Sequence, residues 1–121
     1  MQRRGLFYSL RGAADWRFLG PDGAVSIQAK GRLCVNNGDM LRDAAIEGLG
    51  VAALPTFIAG PAIDAGRLVV IDIGLPTEEE HIFIAHPQGR HPSAKLRALA
   101  DHLRRAFGDP PYWEPGLSAR R

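Results

Sequence analysis

Cysteine is almost absent from this chain: Cys34 stands alone among 121 residues. One thiol excludes an intramolecular disulfide and any Cys-rich zinc site, and it fits a reducing compartment. Because Cys34 lies between Leu33 and Val35 in an apolar run, a buried and inert thiol is expected. Long hydrophobic runs are also missing, since none approaches the roughly 20 residues that span a bilayer. The basic start Met1-Gln2-Arg3-Arg4-Gly5 is followed by a run from Leu6 to Leu10 that contains Ser9 and is cut short by Arg11, so no signal-peptide h-region follows. A cytoplasmic location is expected, with no membrane partner. Charge of one sign does not dominate either: 15 Lys+Arg against 13 Asp+Glu give a net charge of +2. The basic residues cluster late, at Arg90, Lys95, Arg97, Arg104, Arg105, Arg120 and Arg121. They read as a solvated helix face and a tail, because a phosphate-binding stripe needs denser cations or interleaved aromatics.

What is present is ordinary globular material. The length suits one domain or a piece of one. The composition is 45% apolar and 23% charged, which argues against wholesale disorder. A compact chain of this size buries roughly two-thirds of its unfolded surface, enough for a real core. Gly and Pro, 14 and 9 of them, stand at element boundaries and act as turn punctuation.

The apolar patterning predicts a β-rich start followed by alternating strands and helices. Strands are expected at Leu6–Leu10, Trp16–Leu19 and Ala24–Ala29, the last with Val25 and Ile27 on one face. Gly20-Pro21-Asp22-Gly23 is a turn: Pro presets φ, Asp bonds locally, and Gly accepts positive φ. Leu33-Cys34-Val35 is a short strand ending in an Asn pair. A helix is expected from about Met40 to Leu49, capped by Asn37 or Asp39 and stopped by Gly48 and Gly50, with Leu41, Ala44, Ala45 and Leu49 on its buried face. Val51–Leu54 reads as a strand covered on both faces. A short helix starting at Thr56 or Pro61 runs to Ala65 and closes at Gly66. Further strands are expected at Leu68–Ile73 and His81–Ala85, on either side of an acidic linker at Gly74–Glu80. Ser93 opens the clearest helix, whose Leu96, Leu99, Ala100, Leu103 and Phe107 form one apolar stripe before Gly108 and the Pro110-Pro111 pair. The tail from Tyr112 to Arg121 is expected to be loose. The fold class is α/β with a mixed sheet.

Convergent catalytic groups are hard to find. His86 and His91 share a Pro/Gly loop without helical register, His81 and His102 lie apart, and no carboxylate or thiol stands beside them in a ligand pattern. No metal or other cofactor is expected. Ser9 and Ser93 lack a nucleophile-elbow context, and Ser93 is better explained as a helix cap. Glu78-Glu79-Glu80 reads as a solvated hinge. Gly48-x-Gly50 follows a helix and precedes a strand, the reverse of a phosphate loop. Asn36 to Asp39 is different. It follows a strand and opens a helix, the geometry that offers N–H groups to an anion or a carbonyl. Plain helix capping is the competing explanation, and composition alone leaves both open. Arg42, one turn in, reads as a surface residue.

Four motifs in order carry a family resemblance. Asn36-Asn37-Gly38-Asp39-Met40-Leu41-Arg42-Asp43-Ala44-Ala45-Ile46-Glu47-Gly48-Leu49-Gly50-Val51-Ala52-Ala53-Leu54-Pro55 resembles the signature of LysR-type transcriptional regulators, within their carboxy-terminal effector-binding domain. Trp16-x-Phe18-x-Gly20-Pro21-Asp22-Gly23 is similar to the strand and turn just before it. Pro61-Ala62-Ile63-Asp64-Ala65-Gly66-Arg67-Leu68-Val69 is similar to the helix–Gly-Arg-Leu–strand step, and Arg90-His91-Pro92-Ser93-Ala94-Lys95-Leu96-Arg97-Ala98-Leu99 to the final helix. Tyr112 and Trp113 after a Pro pair occur in one branch. The resemblance implies a periplasmic-binding-protein-like (type 2) α/β effector domain, present here in part. Residues 5–74 correspond to most of the second subdomain, 75–80 to a crossover hinge, 81–108 to the return strand and last helix of the first subdomain, and 109–121 to a tail.

The resemblance further implies a non-enzymatic function: sensing a small-molecule effector for a DNA-bound regulator. The winged helix-turn-helix and the first half of the effector domain have no counterpart in these 121 residues, so a truncated regulator without direct DNA binding is expected. The effector-binding residues carried over are Asn36, Asn37, Gly38, Asp39, Pro55 and Thr56; catalytic and metal sites have none. The strand at His81–Ala85 and the Leu96/Leu99/Leu103/Phe107 stripe pack in such domains on segments not found in this sequence, so the chain is expected to self-associate as a homo-oligomer, to exchange its C-terminal helix or to leave that segment mobile. A standalone solute-binding module is the alternative and a small α/β enzyme a more distant one.

Overall fold

The computed structural model describes residues 5–9, 15–28, 31–77, 81–87 and 91–114. The expected strand ends at Leu10 and Ala29, the Glu78–Glu80 run, Arg90 and the tail beyond Glu114 lie outside the described residues. The chain forms two compact units, Met1–Glu79 and Glu80–Arg121.

The first unit is built on β1 (Gly5–Tyr8), which lies between β4 (Gly31–Val35) and β5 (Val51–Ala52) in a parallel sheet of order β4-β1-β5. The helix α1 (Gly38–Ile46) connects β4 to β5, and α2 (Thr56–Asp64) follows β5. Between β1 and β4 the chain makes the hairpin β2 (Asp15–Gly20) and β3 (Gly23–Gln28), an antiparallel pair in its own sheet. Parallel and antiparallel pairings with helices make this an α/β fold.

The central strand is covered on both faces, as its unbroken apolar run requires. Leu6 and Leu41 are each 1% exposed and form the core with Ala44, against which Leu33, Val35, Ala45, Ala52 and Leu54 pack. The neighbouring side chain, Phe7, is buried and stacks on Trp16 of the hairpin, ring centroids 5.2 Å apart. Glycine makes room for it. A β-carbon on Gly5 would lie 2.5 Å from the Phe7 ring, and one on Gly31 would overlap it.

The hairpin turns where expected. Gly20 pairs with Gly23 across Pro21-Asp22, and Gly23 takes φ +122°. Trp16 pairs with Ile27 and Phe18 with Val25, so one face of the ribbon is apolar. Phe18 is buried and also bridges to Thr77, while Leu19 N–H donates to Pro76 O at 2.7 Å. The linker segment is thereby tied to the hairpin at its beginning.

Several expectations are corrected. The helix α1 ends at Ile46, three residues early. Gly48 N–H donates to Ala45 O and Leu49 N–H to Ala44 O, both at 3.0 Å, with Gly48 at φ +73°: a Schellman closure. Past that left-handed turn the i+8 spacing no longer holds, so Leu49 is exposed instead of buried. The helix α2 closes in the same way, with Gly66 N–H on Ile63 O and Arg67 N–H on Ala62 O, and it starts at Thr56 and carries Pro61 inside. Cys34 is exposed. Leu33 and Val35 turn toward the α1 core, so the residue between them turns away, and β4 is an edge strand. The strand expected over Val51–Leu54 is two residues long and Val51 is exposed, because β5 too is an edge. Leu68–Ile73 forms no ladder; Val69 is 84% exposed. A β-branched run becomes a strand only when a neighbour pairs with it, and none does among the described residues.

The second unit contains α3 (Ala94–Phe107). Ser93 caps it, its Oγ accepting from Leu96 N–H at 3.3 Å, and Gly108 ends it at φ +82°. None of its residues is fully buried. His81–Ala85 is not a strand and is exposed, Phe83 at 81%. The start of the tail is folded, contrary to expectation: Trp113 sits edge-on to Phe107 (5.5 Å) and Tyr112 (4.9 Å), and Tyr112 N–H donates to Phe107 O at 2.8 Å.

Candidate functional site

Because β1, β4 and β5 are parallel, their carboxyl ends lie on one edge, where open α/β sheets bind ligands. Tyr8 is in register with Val35, and Leu6 with Ala52. From that edge β4 runs through Asn36 and Asn37 into α1, and β5 runs through Pro55 into α2. The six residues selected from sequence therefore come to the same edge in two short segments, 36–39 and 55–56. Asn36, Asn37 and Asp39 are exposed, and Gly38, Pro55 and Thr56 are half-buried.

Two further residues belong to this edge and escaped the sequence reading. Tyr8 is 39% exposed and Ser9 is exposed at the end of the central strand. The signal was a polar pair closing an apolar strand, but which strand is central is a property of the sheet order.

At the start of α1 the capping interaction is made. Asn37 has extended backbone (φ −133°, ψ 120°), and its Oδ1 accepts from Asp39 N–H at 2.8 Å and Met40 N–H at 3.2 Å; its carbonyl accepts from Leu41 N–H at 3.3 Å. These first-turn donors are thus engaged within the chain. The groups this start still offers are the N–H of Gly38, the carboxamide of Asn36, which makes no hydrogen bond among the described residues, and the Nδ2 amide of Asn37. Replacing Asn37 with Ala is expected to cost about 1 kcal/mol, read as a lower urea midpoint with an unchanged slope.

Asp39 is drawn into an ion cluster. Arg42 Nη1 lies 2.8 Å from Asp39 Oδ1, and Arg42 Nη2 lies 2.8 Å from Asp43 Oδ1, with Nε donating to the same oxygen at 2.9 Å. The hydrogen bond to Asp43 and the charges of Asp43 and Asp39 outweigh desolvation and hold the guanidinium above its ordinary pKa. An Arg that never deprotonates gains no pH switch from this. Its consequence is positional: Arg42 lies along the helix surface, as the sequence suggested, and balances the carboxylate of Asp39.

The helices that the two segments open touch near Gly38. A β-carbon on Gly38 would lie 2.5 Å from Cδ1 of Ile58, the end of a flexible side chain that would have to turn aside. Pro55 enters α2 with φ −59°.

No group of three His, Cys, Asp or Glu among the described residues is placed to hold a metal ion. His86 Nδ1 lies 3.2 Å from Pro87 O, and His81 sits edge-on to Phe83. The arrangement can hydrogen-bond a small polar molecule at a sheet edge; it assembles no acid, base or nucleophile.

Parallel strands whose carboxyl ends lead into helix starts are an arrangement that binds ligands in many open α/β folds. The family model for the LysR substrate binding domain matches residues 3–108, and the chain belongs to that family. The chain is similar to the HTH-type transcriptional regulator PtxR of Pseudomonas aeruginosa, 30% identical over 97 residues that make up 80% of this chain and 31% of that protein. A putative transcriptional regulator of the same organism is 33% identical over 94 residues, 77% of this chain and 30% of its own length. The chain spans about a third of the length of these curated relatives. No solved structure matches it. The family is one of transcriptional regulators, not enzymes, with the periplasmic-binding-protein-like type 2 fold. No helix among the described residues is long and apolar enough to cross a membrane.

Proposed function

We propose that these residues are the effector-sensing part of a LysR-type transcriptional regulator, acting in the cytoplasm. The family match over residues 3–108 carries this reading. The wall of the effector site on this lobe is the carboxyl edge of β4-β1-β5: Asn36, Asn37, Gly38 and Asp39 at the start of α1, Pro55 and Thr56 at the start of α2, and Tyr8 and Ser9 between them. Asn36 and Asn37 orient the effector through their carboxamides. Coupling to DNA follows from an effector that prefers one arrangement of lobes over another.

Two further parts belong to the proposal. These residues alone do not bind DNA specifically, because no winged helix-turn-helix that could enter the major groove is found among the described residues. The chain self-associates through apolar residues that its own fold leaves exposed, among them Phe83 and Leu99.

A thermal-shift screen of small polar metabolites against this chain and an intact relative tests the reading. Shared compounds that raise both midpoints are expected; a compound set that stabilises the intact relative and leaves this chain unmoved contradicts it. An electrophoretic shift assay with the chain alone is expected to show no specific complex.

A further inference from the structure

We infer that Asn37 is a covalent self-modification site: the backbone nitrogen of Gly38 closes on its carboxamide, and the helix cap sets how fast. The inference takes its functional meaning from the proposed effector wall, but the chemistry is independent of any effector.

Asn37-Gly38 is the one place in the chain where an Asn is followed by Gly; the only other Asn, Asn36, is followed by Asn37. Glycine puts no side chain between its nitrogen and the carboxamide before it, and its backbone turns freely. Asn37 is exposed, so water and hydroxide reach it. The Gly38 N–H donates to no group among the described residues, so no hydrogen bond must break before that nitrogen reacts. Hydroxide removes its proton and the nitrogen bonds to Cγ of Asn37. The Cγ–Nδ2 bond then breaks, and the departing nitrogen takes a proton from water and leaves as ammonia. Water opens the resulting ring at either carbonyl, giving aspartate or isoaspartate at 37. Nothing is oxidised or reduced.

The fold restrains this step through the cap. Ring closure brings the Gly38 nitrogen into line with the β-carbon of Asn37, and the observed ψ of 120° turns it far from that position. Swinging ψ carries the start of α1 with it, so Oδ1 must release Asp39 N–H at 2.8 Å and Met40 N–H at 3.2 Å. The reaction therefore runs from the minor state in which the cap is open. An exposed helix end opens locally, without unfolding the sheet.

The two products differ at the wall. Aspartate keeps the acceptor that caps α1 and suits the positive end of the helix. It loses the amide donors of the carboxamide and sets a new carboxylate beside Asp39, which is already paired with Arg42. Isoaspartate threads the main chain through the former side chain, adds a methylene between positions 37 and 38, and so removes the cap.

The test ages four samples at mildly alkaline pH: the full-length chain, the same chain in urea, its Gly38→Ala variant in urea, and a peptide of residues 33–42. Proteolytic mapping by mass spectrometry, with electron-transfer fragmentation to tell isoaspartate from aspartate, locates each product. Modification is expected at Asn37 and not at Asn36, although both are exposed. In the folded chain it should run about five- to a hundredfold more slowly than in the peptide, the range that an ordinary cap at a locally opening helix end allows. Urea should restore the peptide's rate, and Gly38→Ala should lower the rate in urea by roughly an order of magnitude. Parity between folded chain and peptide, or protection beyond that range, overturns the inference, as does equal modification of Asn36. The isoaspartyl chain should melt below the native one and Asn37→Asp close to it; one midpoint for all three contradicts the role given to the cap. No ligand enters the test, so its failure is distinct from failure of the effector reading.

Discussion

Phe7→Ala is expected to remove about 3–5 kcal/mol from the stability of the first unit, the cost typical of truncating a buried aromatic. The reason is the way the ring is seated. Phe7 is 2% exposed, stacked on Trp16 and bedded on Gly5 and Gly31, so its removal opens a void lined by backbone that cannot collapse easily. It also cuts the stacking that joins the central strand to the hairpin. Native domains are stable by only about 5–15 kcal/mol, so a loss of this size consumes a large share of the total. Urea unfolding followed by Trp16 fluorescence in a Trp113→Phe background should show the midpoint collapse. Leu19→Ala, at a position 44% exposed on the hairpin, should shift it by no more than about 0.5 kcal/mol. A Phe7→Ala chain as stable as the native one would show that the ring is not seated where it is described.

The second large effect concerns association. Phe83 and Leu99 are 81% and 49% exposed, so Phe83→Ser and Leu99→Glu remove little burial within the fold, and stability should change by no more than about 0.5 kcal/mol. If these side chains are buried between copies, the same substitutions remove apolar contact worth about 25 cal/mol per Å² and bring a charge into the interface. The double variant should weaken self-association at least tenfold, which corresponds to about 1.4 kcal/mol. Sedimentation velocity over a range of concentrations is the measurement. A concentration-dependent native chain and a monomeric variant are expected, with unchanged far-ultraviolet dichroism. A native chain that stays a monomer, with α3 well protected from hydrogen exchange, removes the self-association proposal.

What was legible in the sequence was local. The Asn37 and Ser93 caps, the Pro21-Asp22 turn and the Gly48 and Gly66 stops are each decided by a few adjacent residues whose hydrogen bonds close within the same turn. What failed depended on neighbours. Leu68–Ile73 and His81–Ala85 have the composition of strands, but a ladder needs a second edge, and the composition of a segment does not state whether that edge is there. The apolar neighbours of Cys34 point to the interior, whereas alternation along an edge strand turns it outward. Helical spacing puts Leu49 on the buried face, but a left-handed glycine interrupts that spacing. At the candidate site, the Asn36–Asp39 segment was visible because strand, Asn pair and helix are consecutive. Tyr8 and Ser9 were not, because their place on the same edge is fixed by the β4-β1-β5 order.

The competition between capping and ligand binding at Asn37 is resolved in geometry and not in function. Its Oδ1 is occupied by two backbone donors, which removes the most obvious anion-binding groups from the start of α1. An effector that uses this wall is therefore held by carboxamides and by Tyr8, Ser9 and Thr56 side chains more than by bare helix N–H groups.

The most direct test of that claim is amide mapping by nitrogen-15 NMR of each compound that stabilises the chain, repeated on an Asn36→Ala, Thr56→Ala variant. The account predicts shifts concentrated at Tyr8, Ser9, Asn36, Asn37, Asp39 and Thr56, and binding at least tenfold weaker in the variant. Shifts centred on the β2–β3 hairpin or on α3, with undiminished affinity in the variant, would contradict it.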